Sequence, residues 1–562
     1  MKTLVKIMLP VLIVFLMVSC TQKKNNMEKE LRDFISRYEA DVSRLMKETN
    51  LSYWNASISG KEEDYAKYAE NNLKLNNYFT NKQDFELLKR IKNEGNIEDS
   101  LLLRQLDVLY LGYLGNQIDS SLLRKKINLE TEIEQKYSNF RAEVDGKQLT
   151  DNDIEEILKS STDSRQLQAA WEAHKKIGTV VSQDVIQLVK LRNQIARQLG
   201  FDNYHTMSLQ LSEQDPAEIS ALFDELDSLT RGSFILLKDE IDNYLSAHLK
   251  VPKDQLMPWH YQNRFFQEAP AIYKVDLDKY YADQNIEKVT ADYYTSIGMD
   301  ISDIMGNSDL FEKPGKNQHA YCIDIDNKGD VRVLCNIKPN YNWMNTMMHE
   351  FGHGVYDKYI SSDLPFALRN PAHTFTTEAI AMLFGRMASN PQWMNDLNVI
   401  SKDEKEQIAP EAYKVLRLEQ LTFSRWAQVM YRFEKAMYEN PDQDLNKLWW
   451  DIVEKYQMIK KPEGRNEPDW ASKIHIATYP AYYHNYLLGE LLASQLNYYI
   501  TTEIIKSNDY MNQSYYNNKE VGRYLTSKVF EPGARYKWND MIERATGRKL
   551  SAEYYAKQFL NK

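Results

Sequence analysis

Residues 347–359 read MMHEFGHGVYDKY and contain two histidines, His349 and His353, one helical turn apart. In an α-helix, residues i and i+4 lie on the same face, so both imidazoles can bind one metal ion while Glu350 lies beside it. Zinc accepts such ligands readily, and a catalytic zinc site keeps one position for a water molecule that a carboxylate can deprotonate. The stretch therefore predicts a helical zinc site, provided that a third protein ligand lies elsewhere in the chain.

Residues 364–382, LPFALRNPAHTFTTEAIAM, supply the candidates for the third ligand. A metzincin needs a histidine ten residues after the first one, but Tyr359 occupies that position, which excludes the class. Glu378 lies in an apolar helical run, where an ionised carboxylate is costly unless a cation compensates its charge. We predict Glu378 as the third ligand, with His373 in the preceding loop as the competing candidate.

The composition is that of a soluble and largely helical protein. Of the 562 residues, 43% are hydrophobic and 27% are charged, and glycine and proline number only 20 and 16. Apolar residues recur at helical spacing over most of the chain. The net charge of -10 is spread along the sequence, and no block of Lys or Arg indicates a nucleic-acid surface. We predict a mostly α fold and no nucleic-acid partner.

The amino-terminal residues, MKTLVKIMLPVLIVFLMVSCTQKKNN, indicate export. Two lysines precede an apolar run that is too short to span a bilayer comfortably, which is typical of a signal peptide. Cys20 follows the small Ser19 and precedes a polar stretch, as in a bacterial lipobox. We predict a lipoprotein signal peptide over residues 1–19, lipidation of Cys20, a tether over residues 20–27, and a lipid-anchored position in the bacterial cell envelope, on its periplasmic side. An ordinary cleaved signal with an incidental cysteine is the alternative.

Residues 319–338, HAYCIDIDNKGDVRVLCNIK, predict a β-hairpin, because two alternating segments flank a turn-rich sequence. A four-residue loop would pair Asp326 with Val331, and the same register places Cys322 opposite Cys335. We therefore predict a disulfide between these two cysteines, which an exported protein permits. Two reduced and buried cysteines are the alternative.

The stretches around the two histidines and Glu378 resemble a known enzyme family. Residues 330–353, DVRVLCNIKPNYNWMNTMMHEFGH, and residues 364–382 resemble the zinc core of angiotensin-converting enzyme and its relatives, the peptidyl-dipeptidase A family. The shared features are a cysteine-containing strand followed by H-E-x-x-H, L-P-x-A-L-R and F-x-x-E-A-I, in that order. Weaker similarity extends to both ends of the mature chain, at residues 52–58, 169–178, 472–486 and 532–547.

The resemblance implies a fold and an activity. The fold would be a large helical clamshell whose two subdomains line one deep central channel, formed by a single zinc peptidase domain over residues 28–562. Such a channel admits short flexible peptides and excludes folded proteins. The implied activity is that of a monomeric zinc metallopeptidase, a peptidyl-dipeptidase that removes dipeptides from the C-terminus of oligopeptides.

The resemblance also implies roles for individual residues. The ligands of one zinc ion would be His349, His353 and Glu378, and Glu350 would act as general base and proton shuttle. Within residues 472–486, His475 would hydrogen-bond the substrate carbonyl region, and Tyr486 would stabilise the oxyanion. Lys473 and Tyr483 would bind the terminal carboxylate. The family spacing from the histidine to the tyrosines is one residue shorter, so Tyr482 and Tyr479 are possible substitutes.

Several positions depart from the family pattern. An aspartate that supports a zinc histidine in the family is replaced by Met382, so this support must come from another residue. An arginine that binds chloride in the animal enzymes is replaced by Asn485, which makes a chloride effect doubtful. The glutamine of the carboxylate clamp aligns loosely with Gln262, in PWHYQNRFF. The residues after the first hairpin cysteine are Ile323 and Asp324 where the family has histidine and alanine, so that side-chain contact with substrate is lost.

Two other functions remain as alternatives. The segments EPGARYKW and YYHNYL also resemble the thimet oligopeptidase group, whose members are endopeptidases with the same zinc chemistry and no need for a free C-terminus. Replacement of Lys473 would discriminate between these two modes of cleavage. The third possibility is a non-catalytic peptide-binding lipoprotein, against which the intact zinc core argues.

Overall fold

The computed structural model describes residues 2–560 apart from residues 96 and 274, and for residues 2–25 it describes the backbone only. The signal peptide predicted over residues 1–19 and the lipidation predicted at Cys20 therefore lie outside the described side chains. Within the part of the chain whose side chains are described, no helix is long and apolar enough to cross a membrane.

The prediction of a mostly α fold is confirmed, because helices make up most of the described chain. The first half contains α1 (Lys2–Ser59), α2 (Glu62–Phe79), α3 (Lys82–Glu94), α4 (Ser100–Leu114), α5 (Ser120–Asn139), α6 (Asp151–Ser160), α7 (Ser164–Gln198), α8 (Tyr204–Leu211), α9 (Pro216–Leu249) and α10 (Asp278–Tyr281). The second half contains α11 (Ile286–Ser296), α12 (Ser302–Asn307), α13 (Tyr341–Lys358), α14 (Thr374–Gly385), α15 (Pro391–Asp396), α16 (Lys402–Glu439), α17 (Leu445–Gln457), α18 (Ile474–Thr478), α19 (His484–Tyr499), α20 (Lys519–Leu525), α21 (Trp538–Thr546) and α22 (Glu553–Leu560). Short 3₁₀ segments lie at Lys253–Gln255, Pro258–His260, Phe366–Leu368, Arg386–Ser389, Asp469–Ser472 and Gly533–Arg535, and π-helical turns at Ile500–Ile504 and Thr526–Phe530.

Two antiparallel hairpins complete the described secondary structure. One joins β1 (Ala142–Val144) to β2 (Lys147–Leu149), and the other joins β3 (Tyr321–Asp324) to β4 (Val331–Leu334). The second hairpin is the one that the sequence predicts, next to the candidate metal site.

The register of this hairpin differs from the predicted one. Asp324 pairs with Val331, so the loop contains six residues instead of four. The carboxylate of Asp326 accepts the backbone N–H groups of Lys328 and Asp330 and thereby organises a wider turn. Asn327, with φ of 52°, takes the left-handed conformation within it. The hydrogen bonds of the turn thus set the register, which the alternation of residues alone did not reveal.

The predicted disulfide is wrong, because Cys322 and Cys335 are both free thiols. In the observed register Cys322 lies opposite Val333, and Cys335 follows the end of β4. The backbone N–H of Cys335 donates to the carbonyl of Asp309 at 2.9 Å, which directs this residue away from the hairpin ladder. Burial raises the pKa of both thiols, and both therefore remain protonated.

Three helices, α13, α14 and α19, pack closely at the centre of the molecule. Gly352 of α13 faces α14, where a β-carbon would lie 2.8 Å from the Cα atom of Ala381. Gly489 of α19 faces the other side of α14, where a β-carbon would lie 3.2 Å from the Cβ atom of Glu378. The two glycines therefore permit the close approach that brings residues of all three helices to one site.

The first helices have a separate hydrophobic core. Leu31 and Phe34 of α1, Leu88 of α3 and Leu106 of α4 are buried together with Phe366 from the segment between α13 and α14. The larger core extends from α5 to α22 and contains the central helices. Phe366 therefore links the amino-terminal layer, α1 to α4, to the part of the chain that carries the candidate metal ligands.

Candidate active site

Helix α13 presents the two histidines of the zinc motif. Its first turn is capped by Asn340, whose side-chain oxygen accepts the N–H of Trp343 at 2.9 Å. Buried methionines and Phe351 fix its apolar face in the core. His349 and His353 lie one turn apart, with ring centroids separated by 4.9 Å. The two imidazoles therefore share one face of a rigid helix, as their spacing predicts.

The two candidates for the third ligand, His373 and Glu378, occupy different positions on helix α14. His373 caps this helix, since its Nδ1 atom accepts the N–H of Phe375 at 3.1 Å. Glu378 lies one turn further along, and its Oε2 atom is 3.7 Å from Nε2 of His349 and 3.8 Å from Nε2 of His353. The structure thus brings Glu378 to the histidines and uses His373 to begin the helix.

The three side chains fit a zinc ion. Zinc binds nitrogen and oxygen ligands at about 2 Å, which places two ligands of a tetrahedral site roughly 3.3 Å apart. Each histidine nitrogen is within a few tenths of an ångström of that separation from the Glu378 oxygen, and all three ligand atoms lie within 4.8 Å of one another. Burial lowers the pKa of His349 to about 4 and the pKa of His353 well below its usual value, so that both imidazoles keep a lone pair for a metal. Burial, and then the charge of Glu490, raise the pKa of Glu378 to about 7. A bound cation would offset the free-energy cost of ionising this buried carboxyl group.

Thr377 supports His353, and the sequence analysis did not identify it. The hydroxyl of Thr377 lies 2.7 Å from Nδ1 of His353, the ring nitrogen that faces away from Glu378. A histidine that binds zinc through Nε2 carries a proton on Nδ1, so Nδ1 would donate to this hydroxyl. Met382, at the position of the aspartate that gives such support in the resembled family, lines the cavity and packs against the core. No sequence signal separates Thr377 from the other threonines of this helix.

Glu350 follows His349 on the same helix and is 8% exposed. Burial, and then the charge of Glu378, raise the pKa of Glu350 to about 8, and the backbone N–H of Cys322 on β3 opposes this shift by a hydrogen bond. The hairpin therefore holds the carboxyl group next to the metal ligands. A carboxyl group with a raised pKa can both accept and return a proton near neutral pH.

A tyrosine-rich segment between α18 and α19 approaches the metal ligands. Tyr486, in the first turn of α19, lines the same cavity as His349 and Glu378. Its ring lies 5.4 Å from that of Tyr483, which in turn lies 5.3 Å from the ring of His475. These three rings form a continuous row that begins at the cavity.

The two alternative tyrosines occupy different environments. Tyr482 stacks edge-on against Tyr486 at 5.5 Å, and the charge of Glu378 contributes to raising the pKa of both phenols, after burial. Tyr479 is 61% exposed. Of these two, only Tyr482 lies close to the metal ligands.

Lys473 lies at the far end of this segment, buried among aromatic rings. Its Nζ atom is 5.3 to 5.6 Å from the ring centroids of Phe265, Trp426 and Tyr483. Burial, and then the charge of Arg264, lower the pKa of Lys473 to about 8. An ammonium group without a carboxylate of its own in the described chain is suited to bind a carboxylate of a ligand.

The glutamine beside Lys473 is Gln267, and the prediction of Gln262 is wrong on this point. The Nζ atom of Lys473 donates to Oε1 of Gln267 at 2.5 Å. Oε1 of Gln262 instead accepts the backbone N–H of Ala271 at 3.0 Å, and Gln262 itself has a left-handed φ of 58°. Phe266, directly before Gln267, also has a left-handed φ of 51°, so two such positions shape the segment that presents Gln267 to the lysine.

The cavity beside the metal ligands has a volume of about 770 Å³. Its wall includes Asp324, from β3, and Asp357, which continues the histidine face of α13 by one more turn. Burial, and then Asp324, raise the pKa of Asp357 to about 8. Arg369 also contributes to the wall. The cavity is therefore polar and largely acidic, and it is large enough for several residues of a peptide.

Asn485 occupies a neutral hydrogen-bond network. Its side-chain oxygen accepts a hydrogen bond from Gln214 at 2.8 Å, and the oxygen of Gln214 lies 2.7 Å from Nε2 of His484. Burial lowers the pKa of His484 well below its usual value. This neutral network occupies the position of the chloride-binding arginine of the resembled animal enzymes.

The amino-acid sequence is similar to those of known peptidases over almost its whole length. The model of the family described as Peptidase_M2, angiotensin-converting enzyme, matches residues 25–560. The chain is 20% identical over 563 residues to the angiotensin-converting enzyme of Theromyzon tessulatum, covering 94% of this chain and 90% of that protein. It is 23% identical to the angiotensin-converting enzymes of Mesocricetus auratus and Rattus norvegicus, covering 70% and 71% of this chain. The matched part spans about a third (32%) of the length of each of these two mammalian relatives.

Proposed function

Because this chain belongs to the angiotensin-converting enzyme family of peptidases, we propose that it is a zinc peptidase that releases dipeptides from the C-terminus of oligopeptides. The observation that carries the proposal is the arrangement of two sites. One is a three-ligand metal site with Glu350 beside it, and the other is the buried ammonium group of Lys473. The row of rings from Tyr486 through Tyr483 to His475 connects them.

The zinc ion would be held by His349, His353 and Glu378. When bound, it supplies a Lewis acid that polarises the substrate carbonyl and makes a water molecule more acidic. Two neutral imidazoles and one carboxylate would leave the ion strongly Lewis acidic, because the protein ligands contribute only one negative charge.

Glu350 is positioned to accept the proton of the attacking water. Its carboxyl group adjoins the ligands and is 8% exposed, so bulk water does not compete for the proton. As the carbon–nitrogen bond of the substrate breaks, the same group returns the proton to the leaving amine. One residue thus serves in turn as base and acid.

His475 and Tyr486 would stabilise the negative charge that develops on the carbonyl oxygen. Burial, and then Lys473, lower the pKa of His475 to about 4, so the imidazole is neutral and donates through an N–H group. Burial raises the pKa of Tyr486, which keeps its phenol protonated. A neutral phenol and a neutral imidazole that donate from fixed positions stabilise an oxyanion more than they stabilise the substrate carbonyl.

Lys473 and Gln267 would bind the terminal carboxylate of the peptide. The ammonium group lies in a cage of three rings, where an unpaired charge is costly and a substrate carboxylate would compensate it. A fixed distance between this group and the metal ligands determines which peptide bond is cut. An anchor of this kind would release fragments of constant length.

The proposal is tested with a nonapeptide supplied as free acid and as C-terminal amide, with mass spectrometry of the products. We expect chelator-sensitive, stepwise loss of dipeptides from the free acid alone. The Lys473→Met variant should show a KM for the free acid that is increased at least tenfold. Lys402→Met, which changes an exposed lysine, is the matched control and should behave as wild type.

Other results would overturn the proposal in distinguishable ways. Equal internal cleavage of the free acid and the amide would assign the protein to endo-oligopeptidases. Absence of cleavage by the zinc-loaded protein would support a peptide-binding protein without catalytic activity.

The anchor at Cys20 is a separate part of the proposal, supported by the amino-terminal sequence. A lipidated protein should have an intact mass that includes a diacylglyceryl group and should partition into detergent. The Cys20→Ala variant should lose both properties. Wild-type protein without added lipid mass would overturn this assignment.

A further inference from the structure

The turn between α18 and α19, which leads into Tyr483 and Tyr486, contains an unusual backbone conformation. Ala481 has a φ of 54°, in the left-handed region that residues with a β-carbon adopt at a cost. It is 7% exposed, so its N–H group must find a partner within the protein. The turn between α18 and α19 therefore depends on contacts made by other parts of the chain.

Glu434, on α16, supplies this partner. Its Oε1 atom accepts the N–H of Ala481 at 3.0 Å, and the side chain is 2% exposed. Burial raises the pKa of Glu434 to about 8, with opposing contributions from the N–H of Ala481 and then Arg192. An oxygen of the carboxyl group can accept this hydrogen bond whether or not the group carries a proton.

Arg192, on α7, holds the other end of the same segment. Its Nη2 atom donates to the carbonyl of Ala477 at 2.6 Å and to Glu130 at 2.7 Å. Its Nη1 atom donates to the hydroxyl of Tyr438, which lies one turn after Glu434 on α16. Residues 477 and 481 are thus each held by a hydrogen bond with a buried side chain of another helix.

We propose that Glu434 is a positioning residue, which accepts the N–H of Ala481 and so fixes the turn that sets Tyr483 and Tyr486 relative to the metal ligands. This inference rests on the proposed peptidase function. Glu434 does not line the cavity, so it acts through the backbone of the turn. The two tyrosines follow Ala481 by two and five residues, and a displacement of the turn would therefore move both rings.

The test compares two substitutions of similar size. Glu434→Met removes the acceptor and leaves the N–H of Ala481 without a partner, and we expect kcat to fall about tenfold to a hundredfold. Glu434→Gln keeps an oxygen that can accept the hydrogen bond, so it should retain kcat within about threefold. KM for the free-acid peptide should rise by a smaller factor than kcat falls, because Lys473, unlike Tyr483, lies outside the displaced turn.

A merely structural role predicts a different pattern. Glu434→Met leaves a buried N–H group without a partner and should therefore lower the melting temperature, but a merely structural role predicts that kcat, measured well below that temperature, does not change. The matched control is Asp227→Asn, on α9. Asp227 pairs with Arg425, which lies on α16 like Glu434 but away from the turn. This control should lower the melting temperature and leave kcat unchanged.

Hydrogen exchange gives a measurement that does not depend on activity. The amide of Ala481 in the wild-type protein should exchange at least about a thousandfold more slowly than in an unfolded peptide, and Glu434→Met should remove most of this protection. An unprotected Ala481 amide in the wild type would overturn the inference. An unchanged kcat in folded Glu434→Met, or an equal loss in Glu434→Gln, would also overturn it. A wild-type protein that cleaves no peptide would overturn the proposed function instead.

Discussion

Thr377 is the residue that prepares His353 for a metal. Its hydroxyl contacts Nδ1 at 2.7 Å, which leaves Nε2 directed toward Glu378. This contact fixes both the orientation of the ring and the position of its proton. A single hydroxyl here takes over the support that an aspartate gives in the resembled family.

Removal of this hydroxyl should weaken zinc binding. We expect Thr377→Val to increase the dissociation constant of zinc about tenfold to a hundredfold, because His353 loses its fixed orientation. Competition with a chromophoric chelator measures the constant directly. Thr374→Val, an exposed threonine of the same helix, is the control. Equal zinc affinities of the two variants would contradict the role of Thr377.

Lys473 should give the binding of carboxylates a distinctive pH dependence. Burial lowers its pKa to about 8, so the ammonium form is present below this value and is lost as the pH rises through it. The inhibition constant of a product dipeptide should therefore increase about tenfold per pH unit above pH 8. The same dipeptide as an amide is the control, since it carries no carboxylate. Parallel profiles for acid and amide would contradict the assignment.

The contact between α13 and α14 determines the metal site at the scale of elements. Two ligands lie on one helix and one on the other, so the separation of the helices sets the distances between ligand atoms. Gly352 makes this separation small, because a β-carbon there would lie 2.8 Å from the backbone of Ala381. The motif H-E-F-G-H thus includes a packing residue between its ligands.

Enlarging Gly352 should force the two helices apart. We expect Gly352→Ala to destabilise the protein by about 1 to 3 kcal/mol and to weaken zinc binding, as measured by thermal unfolding and chelator competition. Gly354→Ala is the matched control on the same helix, because its β-carbon would make only ordinary contacts, at 3.4 to 3.8 Å, with the side chains of Ile304 and Cys322. A zinc affinity unchanged by Gly352→Ala would show that the helices tolerate the larger residue.

The sequence predicts those features of the site that depend on local spacing. His349 and His353 share a face because the helical period is fixed, and Glu378 stands out as a carboxylate in an apolar run. The hairpin was predicted, but its register depends on the hydrogen bonds that Asp326 makes within the turn. Because of this turn, Cys322 lies opposite Val333 and not opposite Cys335, and the predicted disulfide is absent.

Contacts between distant segments could not be predicted in the same way. Gln267 contacts Lys473, which is more than two hundred residues away in the sequence. Left-handed backbone conformations at Gln262 and Phe266 shape the segment that presents Gln267. Glu434 and Ala481 meet because α16 packs against the segment before α19. Glu434 belongs to no motif, and no spacing within the sequence indicates which buried carboxyl group will face the amide of Ala481.

At the scale of the whole molecule, Arg104 joins the amino-terminal layer to the rest of the protein. From α4 it pairs with Glu213, in the loop between α8 and α9, and its Nε atom donates to the carbonyl of Ala534 at 2.8 Å. The side chains of this pair are 8% and 14% exposed. One buried guanidinium group thus connects three segments that are far apart in the sequence.

Removal of Arg104 should loosen the amino-terminal layer. We expect Arg104→Met to lower the free energy of unfolding by about 3 kcal/mol, because Glu213 loses its partner in a buried position. Hydrogen exchange should increase in α1, α3 and α4 more than in α13 or α14. Lys506→Met, which breaks an exposed ion pair, should have almost no effect. A uniform increase over all helices would contradict the existence of a separate layer.

The most direct test of the account is the zinc content of purified variants, measured by elemental mass spectrometry together with peptide cleavage. We expect one zinc ion per chain in the wild type and in Glu350→Gln, and far less in Glu378→Gln. Of these two glutamates, only Glu378 is a proposed zinc ligand. Glu350→Gln should retain its zinc and lose at least about a hundredfold in kcat. Full zinc content in Glu378→Gln, or wild-type cleavage by zinc-loaded Glu350→Gln, would contradict the account.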